Sequence, residues 1–218
     1  MPFELNIQND FATILDGVEP VTLKRRGSAD TVAVPKAWRY SSLTQQAEPG
    51  MPGVAQSDVV WQFVWDEAGD PPRIGDSVID GANECWTILS IEVRGNNSRL
   101  RCVTRNLRIV HQLDDRIEIQ EALWEDGGSG SEIVGWTTLR TAVPARIQPE
   151  RTTIDNTADP STSTATYRVM LADETPLDHN HRLVGLDGLD GSVYQLIEYT
   201  QAERIDALPV ATVNKLPA

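Results

Sequence analysis

Three histidines are the whole supply of the commonest general base in this chain of 218 residues, and two of them, His179 and His181, stand one residue apart. On a strand, His-x-His puts both imidazoles on one face, which is the start of a metal site, and Asp178 and Asp187 are the nearest carboxylates to complete it. The pair falls between two apolar runs, so an ordinary polar turn is favoured over a metal centre. Asp187-Gly188-Leu189-Asp190-Gly191-Ser192 spaces carboxylates somewhat as calcium loops do. It has neither the Asp-x-Asp-x-Asp-Gly core nor the distant Glu of an EF-hand, and reads as a hairpin turn. No Ser is framed as Gly-x-Ser-x-Gly, and the run Gly127 to Gly130 has no following Lys and helix to act as a phosphate loop. No catalytic set converges, so the expectation is a protein that is not an enzyme and carries no metal or cofactor.

Trp61, Phe63 and Trp65 occupy alternate positions and project from one face of a strand. Core is the favoured reading; the functional alternative is an apolar subunit interface or a ligand platform. Cys85 and Cys102 lie on two arms of one hairpin turning at Arg94-Gly95-Asn96-Asn97-Ser98, where Cys102 faces about Ser90. That separation argues against a disulfide and for two buried, reduced thiols of a cytosolic protein.

The elements that carry these residues are organised around a stretch that occurs twice. Gly75-Asp76-Ser77-Val78-Ile79-Asp80-Gly81, continued by Glu84 to Val93, matches His181-Arg182-Leu183-Val184-Gly185-Leu186-Asp187-Gly188, continued by Ser192 to Tyr199. Each copy has a short apolar run, an Asp/Gly turn, an aromatic residue (Trp86, Tyr194) and alternating large apolar side chains, the pattern of a hairpin. Upstream, Val34 to Arg39 corresponds to Val143 to Ile147, and Val59 to Trp65 to Ala165 to Leu171. Downstream, Leu100 to Thr104 corresponds to Leu208 to Thr212. The offset stays at about 106 to 109 residues, as a tandem duplication requires.

The predicted fold class is therefore all-β: two small antiparallel barrels or sandwiches in tandem, 1–112 with an N-terminal arm and 113–218. Strands are expected at Val21 to Arg26, Thr31 to Tyr40, Val59 to Trp65, Arg116 to Trp124 and Glu132 to Gln148. Ile7 to Leu15 fits a short helix or a docking arm. In both halves a long polar loop separates the second and third strands, Ser41 to Asp58 and Pro149 to Thr164, and loops of that length are usually functional or disordered.

Charge narrows the partners. The net charge is -13, with 11 Lys and Arg against 14 Asp and Glu in residues 1–110 and 8 against 18 in 111–218. An acidic chain without a basic stripe is unsuited to tight nucleic-acid binding, although a repulsive wall lets DNA slide past without sticking. No apolar run approaches the roughly 18 to 20 residues that span a bilayer, and the N-terminus lacks a basic flank and long apolar core, so a soluble chain made without export and without a membrane partner is expected.

The order Ala145-Arg146-Ile147-Gln148-Pro149, a long polar loop, Tyr167 to Leu171, His181 to Val184, a Gly/Asp turn and Tyr194 to Ile197 resembles the head-closure (stopper) and head-tail joining proteins of tailed bacteriophages. The resemblance covers about Val143 to Thr212 and, through the repeat, extends more weakly over Val34 to Thr104. The two-domain length and acidic second half depart from that family. What the resemblance implies is a virion protein of the neck, assembled in the host cytoplasm. It would form a ring of six or twelve copies between portal or adaptor and tail proteins, with long loops beside packaged DNA. Glu48, Met51 and Asp58 of the first loop and Glu150, Arg151, Asp155 and Asp159 of the second are then the implied channel or assembly contacts. Six tandem chains would present twelve similar domains to a twelve-fold portal. The competing readings are a tail-completion or baseplate protein, a β-sandwich ligand-binding module and, least favoured, a metal-dependent hydrolase.

Overall fold

The computed structural model describes residues 17–28, 30–41, 57–64, 70–94, 99–128, 130–154, 163–172, 174–189 and 191–216. The expected N-terminal helix or arm, most of the first polar loop and the middle of the second lie outside these residues. Contacts divide the chain into Met1–Val110 and His111–Ala218, against an expected boundary at Gln112 and Leu113.

The first unit is built from β1 (Val18–Lys24), β2 (Thr31–Ser41), β3 (Asp58–Val64), β4 (Ser77–Ile79), β5 (Cys85–Arg94) and β6 (Arg99–Arg105). A short helix, α1 (Leu107–His111), follows; no helical periodicity announced its five residues. The second unit contains β7 (Asp115–Gly127), β8 (Gly130–Ile154), β9 (Ser163–Leu171), β10 (His181–Gly185), β11 (Val193–Thr200) and β12 (Val210–Lys215).

Both units are closed antiparallel barrels, ordered β1-β2-β3-β6-β5-β4 and β7-β8-β9-β12-β11-β10. Each strand of the second occupies the place of the strand six earlier. Closure is made by β1 on β4, with Leu23 opposite Val78, and by β7 on β10, with Ile119 opposite Leu183. Closure removes the free edges that an open sheet exposes.

Alternation fills the interiors. Val21, Leu23, Val34, Trp61, Phe63, Trp86 and Ile88 pack the first barrel, and Ile117, Ile119, Val143, Val169, Leu171, Leu183, Tyr194 and Val213 the second. A fully buried side chain of this kind contributes about 1.5 to 3 kcal/mol, so each barrel rests on a modest core.

The ladders test the repeat residue by residue. Val78 pairs with Trp86 as Leu183 pairs with Tyr194, and Val21 with Val34 as Ile117 with Val143, which bears out those matches. A bulge falls between Ile88 and Ser90 in β5 and between Leu196 and Glu198 in β11, at the same step after each aromatic residue. The downstream match needs correction. Ile91 pairs with Cys102 as Tyr199 pairs with Ala211, so Cys102 corresponds to Ala211 and not to Val210; likewise Ala37 pairs with Phe63 as Ala145 pairs with Leu171, so Trp61 corresponds to Val169 and not to Tyr167.

The second polar loop is also shorter than expected, because β8 runs on to Ile154 and pairs with β9 down to Ser163. Pro149 enters this strand beside a register shift that leaves Glu150 without a ladder partner, as proline requires.

Candidate assembly surface

Asp76 and Asp80, the carboxylates of the repeated stretch, are buried and work within the first barrel. Asp76 accepts the backbone N–H groups of Arg26 and Arg73 at 3.0 and 2.9 Å and pairs with the Arg25 guanidinium at 2.7 Å. Burial pushes its carboxyl up, but those three donors outweigh it and hold the pKa below the ordinary value. Asp80 accepts Trp86 Nε1–H at 2.9 Å and the N–H groups of Ala82 and Glu84, and takes an ion pair from Arg39 at 3.2 Å. The Arg39 guanidinium lies 4.4 Å from the Trp86 ring centre and 5.6 Å from that of Trp61, closing the barrel interior with a cation over two indoles.

Of the implied channel contacts, Asp58 is not a loop residue. It opens β3, faces Arg105 of β6 across the ladder and is held by that guanidinium through two bonds of 2.8 and 2.9 Å. Arg105's hydrogen bonds hold the Asp58 carboxyl below its usual range against the opposing effect of burial. Glu150 and Arg151 are exposed on β8. Glu48, Met51, Asp155 and Asp159 lie outside the described residues, so nothing brings the seven together. Trp61 and Phe63 are wholly inside the barrel, which leaves them no surface for a subunit contact or ligand platform and corrects the interface alternative; Trp65 lies outside the described residues.

His181 Nδ1 lies 2.7 Å from Asp178 Oδ1 at the start of β10, while His179 sits in the preceding turn. Among the described residues no three His, Cys, Asp or Glu side chains converge as a metal site would need. No disulfide joins Cys85 and Cys102, but only Cys102 is buried, and Cys85 is exposed. Cys102 faces Ile91, one residue from the expected Ser90, because the register is set by the last ladder pair, Arg94 with Arg99, and the β5 bulge lies beyond it. An open cleft of about 630 Å³ lies beside Asp115, Arg146 and Gln148 in the second unit. Its polar groups are engaged internally: Asp115 accepts Ile147 N–H at 2.8 Å and Arg146 donates to the His111 carbonyl at 3.2 Å.

The surface that stands out is one the motifs did not announce. Beyond Glu121, where pairing with β10 ends at His181, β7 and β8 continue together as a two-stranded ribbon to Gly127 and Gly130. Leu123, Trp124, Ile133 and Val134 on it are exposed. Trp124 is fixed by its Nε1–H donating to Asn180 Oδ1 at 3.2 Å, and Val134 falls in the register shift between Leu123 and Trp124. At the ribbon's base, Arg182 lies 4.2 Å from the Trp136 ring centre and donates to Gln120 Oε1 at 2.7 Å. Gln120 in turn donates to Glu118, which also accepts the Thr138 hydroxyl. A second ribbon, β8 with β9, leaves the opposite end of β8. The signal in the sequence is the pair of apolar runs flanking the Gly-rich turn, a pattern that ordinary hairpin arms share.

No family model, no curated protein and no solved structure matches this chain.

Proposed function

We propose that this chain is a structural protein of the neck of a tailed bacteriophage, a head-tail connector or head-closure ring component that bridges portal or adaptor and tail proteins and helps retain packaged DNA. The observation that carries the reading is the tandem of two closed barrels of one topology, with ribbons leaving opposite ends of β8. Closed barrels offer no edge for strand addition, so contacts with neighbours fall to what projects from them. At 25 residues, β8 spans at most roughly 80 Å at about 3.3 Å per residue, enough to serve both ends of a barrel. The charge of -13 suits a wall past which DNA moves without adhering.

The test is to sequence the DNA on either side of the gene. Portal, capsid or tail-tube genes as neighbours are the expected result. A neighbourhood of metabolic genes overturns the proposal.

A further inference from the structure

One face of the β7–β8 ribbon joins a fixed aromatic ring to unspent polar groups. Glu118, Gln120, Ala122 and Trp124 alternate along β7, and the last three share their face with the β8 partners Thr138, Trp136 and Ile133. Arg182 of β10 stands opposite Gln120 on the same face. From Glu118 to Trp124 the row is about 20 Å long at roughly 3.3 Å per residue, more than a single small ring would cover. Trp124 leaves 49% of its surface in water, yet its indole is held in one orientation. Its Nε1–H donates to Asn180 Oδ1 at 3.2 Å. Asn180 is fixed in turn, by its N–H on Asp178 Oδ1 at 2.9 Å and by its carbonyl, which accepts Ala122 N–H at 2.8 Å. An exposed ring already held in place gives up little rotamer freedom when a ligand stacks on it.

The polar groups beside that ring are built the same way. Arg182 rests on Trp136 and spends only its Nε–H, on Gln120, so among the described residues both terminal NH2 groups are left to donate. Glu118 accepts from Gln120 and Thr138 at Oε1 alone, which leaves Oε2 to accept. The hydrogen bonds from Gln120 and then Thr138 hold the Glu118 carboxyl below its ordinary range, so it stays a charged acceptor. A hydroxyl both donates and accepts, and is served by a carboxylate and a guanidinium side by side. An anionic ligand is opposed by 18 Asp and Glu against 8 Lys and Arg in residues 111–218, with no Lys or Arg between 121 and 139. A cation is opposed by Arg182, and a wholly apolar ligand would leave Arg182 and Glu118 covered without partners. We infer that this face binds a neutral oligosaccharide, one sugar ring stacking its C–H face on Trp124 and the hydroxyls of another donating to Glu118 and accepting from Arg182. The inference goes beyond the neck reading and does not rest on it.

Titration of the full chain with short linear oligomers of glucose, galactose, mannose and N-acetylglucosamine tests it, read by tryptophan fluorescence and calorimetry. At least one of these probes is expected to give a saturable response. Trp124→Ala should weaken it about tenfold, and Trp124→Phe, which keeps a ring, should weaken it less. Glu118→Gln, which keeps the shape of the side chain, should weaken it about fivefold even if Trp124→Ala disturbs the fold. Leu123→Ser, on the opposite face of the ribbon, should bind as wild type does. No saturable response to any of the probes, or one that Trp124→Ala and Glu118→Gln leave unchanged, overturns the site. Self-association of the chain that Trp124→Ala abolishes, without any saccharide response, gives the face to a protein contact and overturns it equally.

Discussion

Asp80 shows how a side chain that reads as turn chemistry does structural work. Its carboxylate satisfies one indole N–H, two backbone N–H groups and the Arg39 guanidinium in a buried position. Removing one partner of a buried charged network leaves the rest unpaired, so Asp80→Ala is expected to cost about 3 kcal/mol in urea unfolding followed by Trp fluorescence. A cost indistinguishable from that of an exposed Asp→Ala control would contradict this role. Asp58 and Asp76 have pKa values below their ordinary ones in the fold, so the unfolded chain binds more protons as pH falls. Their contribution is complete above about pH 4, near the unfolded Asp pKa, and is lost as pH drops through the lower folded values. The melting temperature should fall steeply below that point and more gently in an Asp58→Asn, Asp76→Asn double variant; equal slopes would contradict the assignment. Burial pushes the Cys102 thiol up to about 12, whereas Cys85 is exposed. A thiol reagent should titrate one cysteine in the folded chain and two in urea, and two fast-reacting thiols without denaturant would contradict the burial.

At the scale of elements, the strands were legible where Val, Ile and aromatic residues alternate between Gly/Asp turns, as in Val78 to Ile88 and Leu183 to Leu196. They were not legible where the alternation is polar. Arg151 to Ile154 and Ser163 to Thr166 form a ladder from threonine, serine and arginine, and a tertiary partner supplies there what pattern does not. The β7–β8 ribbon hid for the opposite reason: its apolar residues look like core, and only closure of the barrel below them leaves them in water. Ala142 records a similar tension. It sits at φ 54° where β8 shifts register between Arg140 and Val143, in a left-handed conformation that costs a residue with a Cβ. Ala142→Gly is expected to stabilise the chain by about 1 kcal/mol and Ala142→Val to destabilise it, read from melting temperatures. The reverse order would show that the bulge is not strained.

For the molecule as a whole, the duplication was legible because spacing survives where identity does not. Trp86 of the first barrel is matched by Tyr194 of the second, whose ring meets that of Tyr167 edge to face at 5.7 Å, while Trp61 is matched by Val169. The cation that closes the first interior, Arg39, has Ile147 at its counterpart in the ladder, so the two barrels share a plan and differ in how each is sealed. The excess of negative charge in residues 111–218 likewise separates them. Cryo-electron microscopy of the purified, associated chain tests the central claim most directly. The account predicts closed rings of six chains presenting twelve barrels; particles that are single chains, or that show no closed ring, would contradict it.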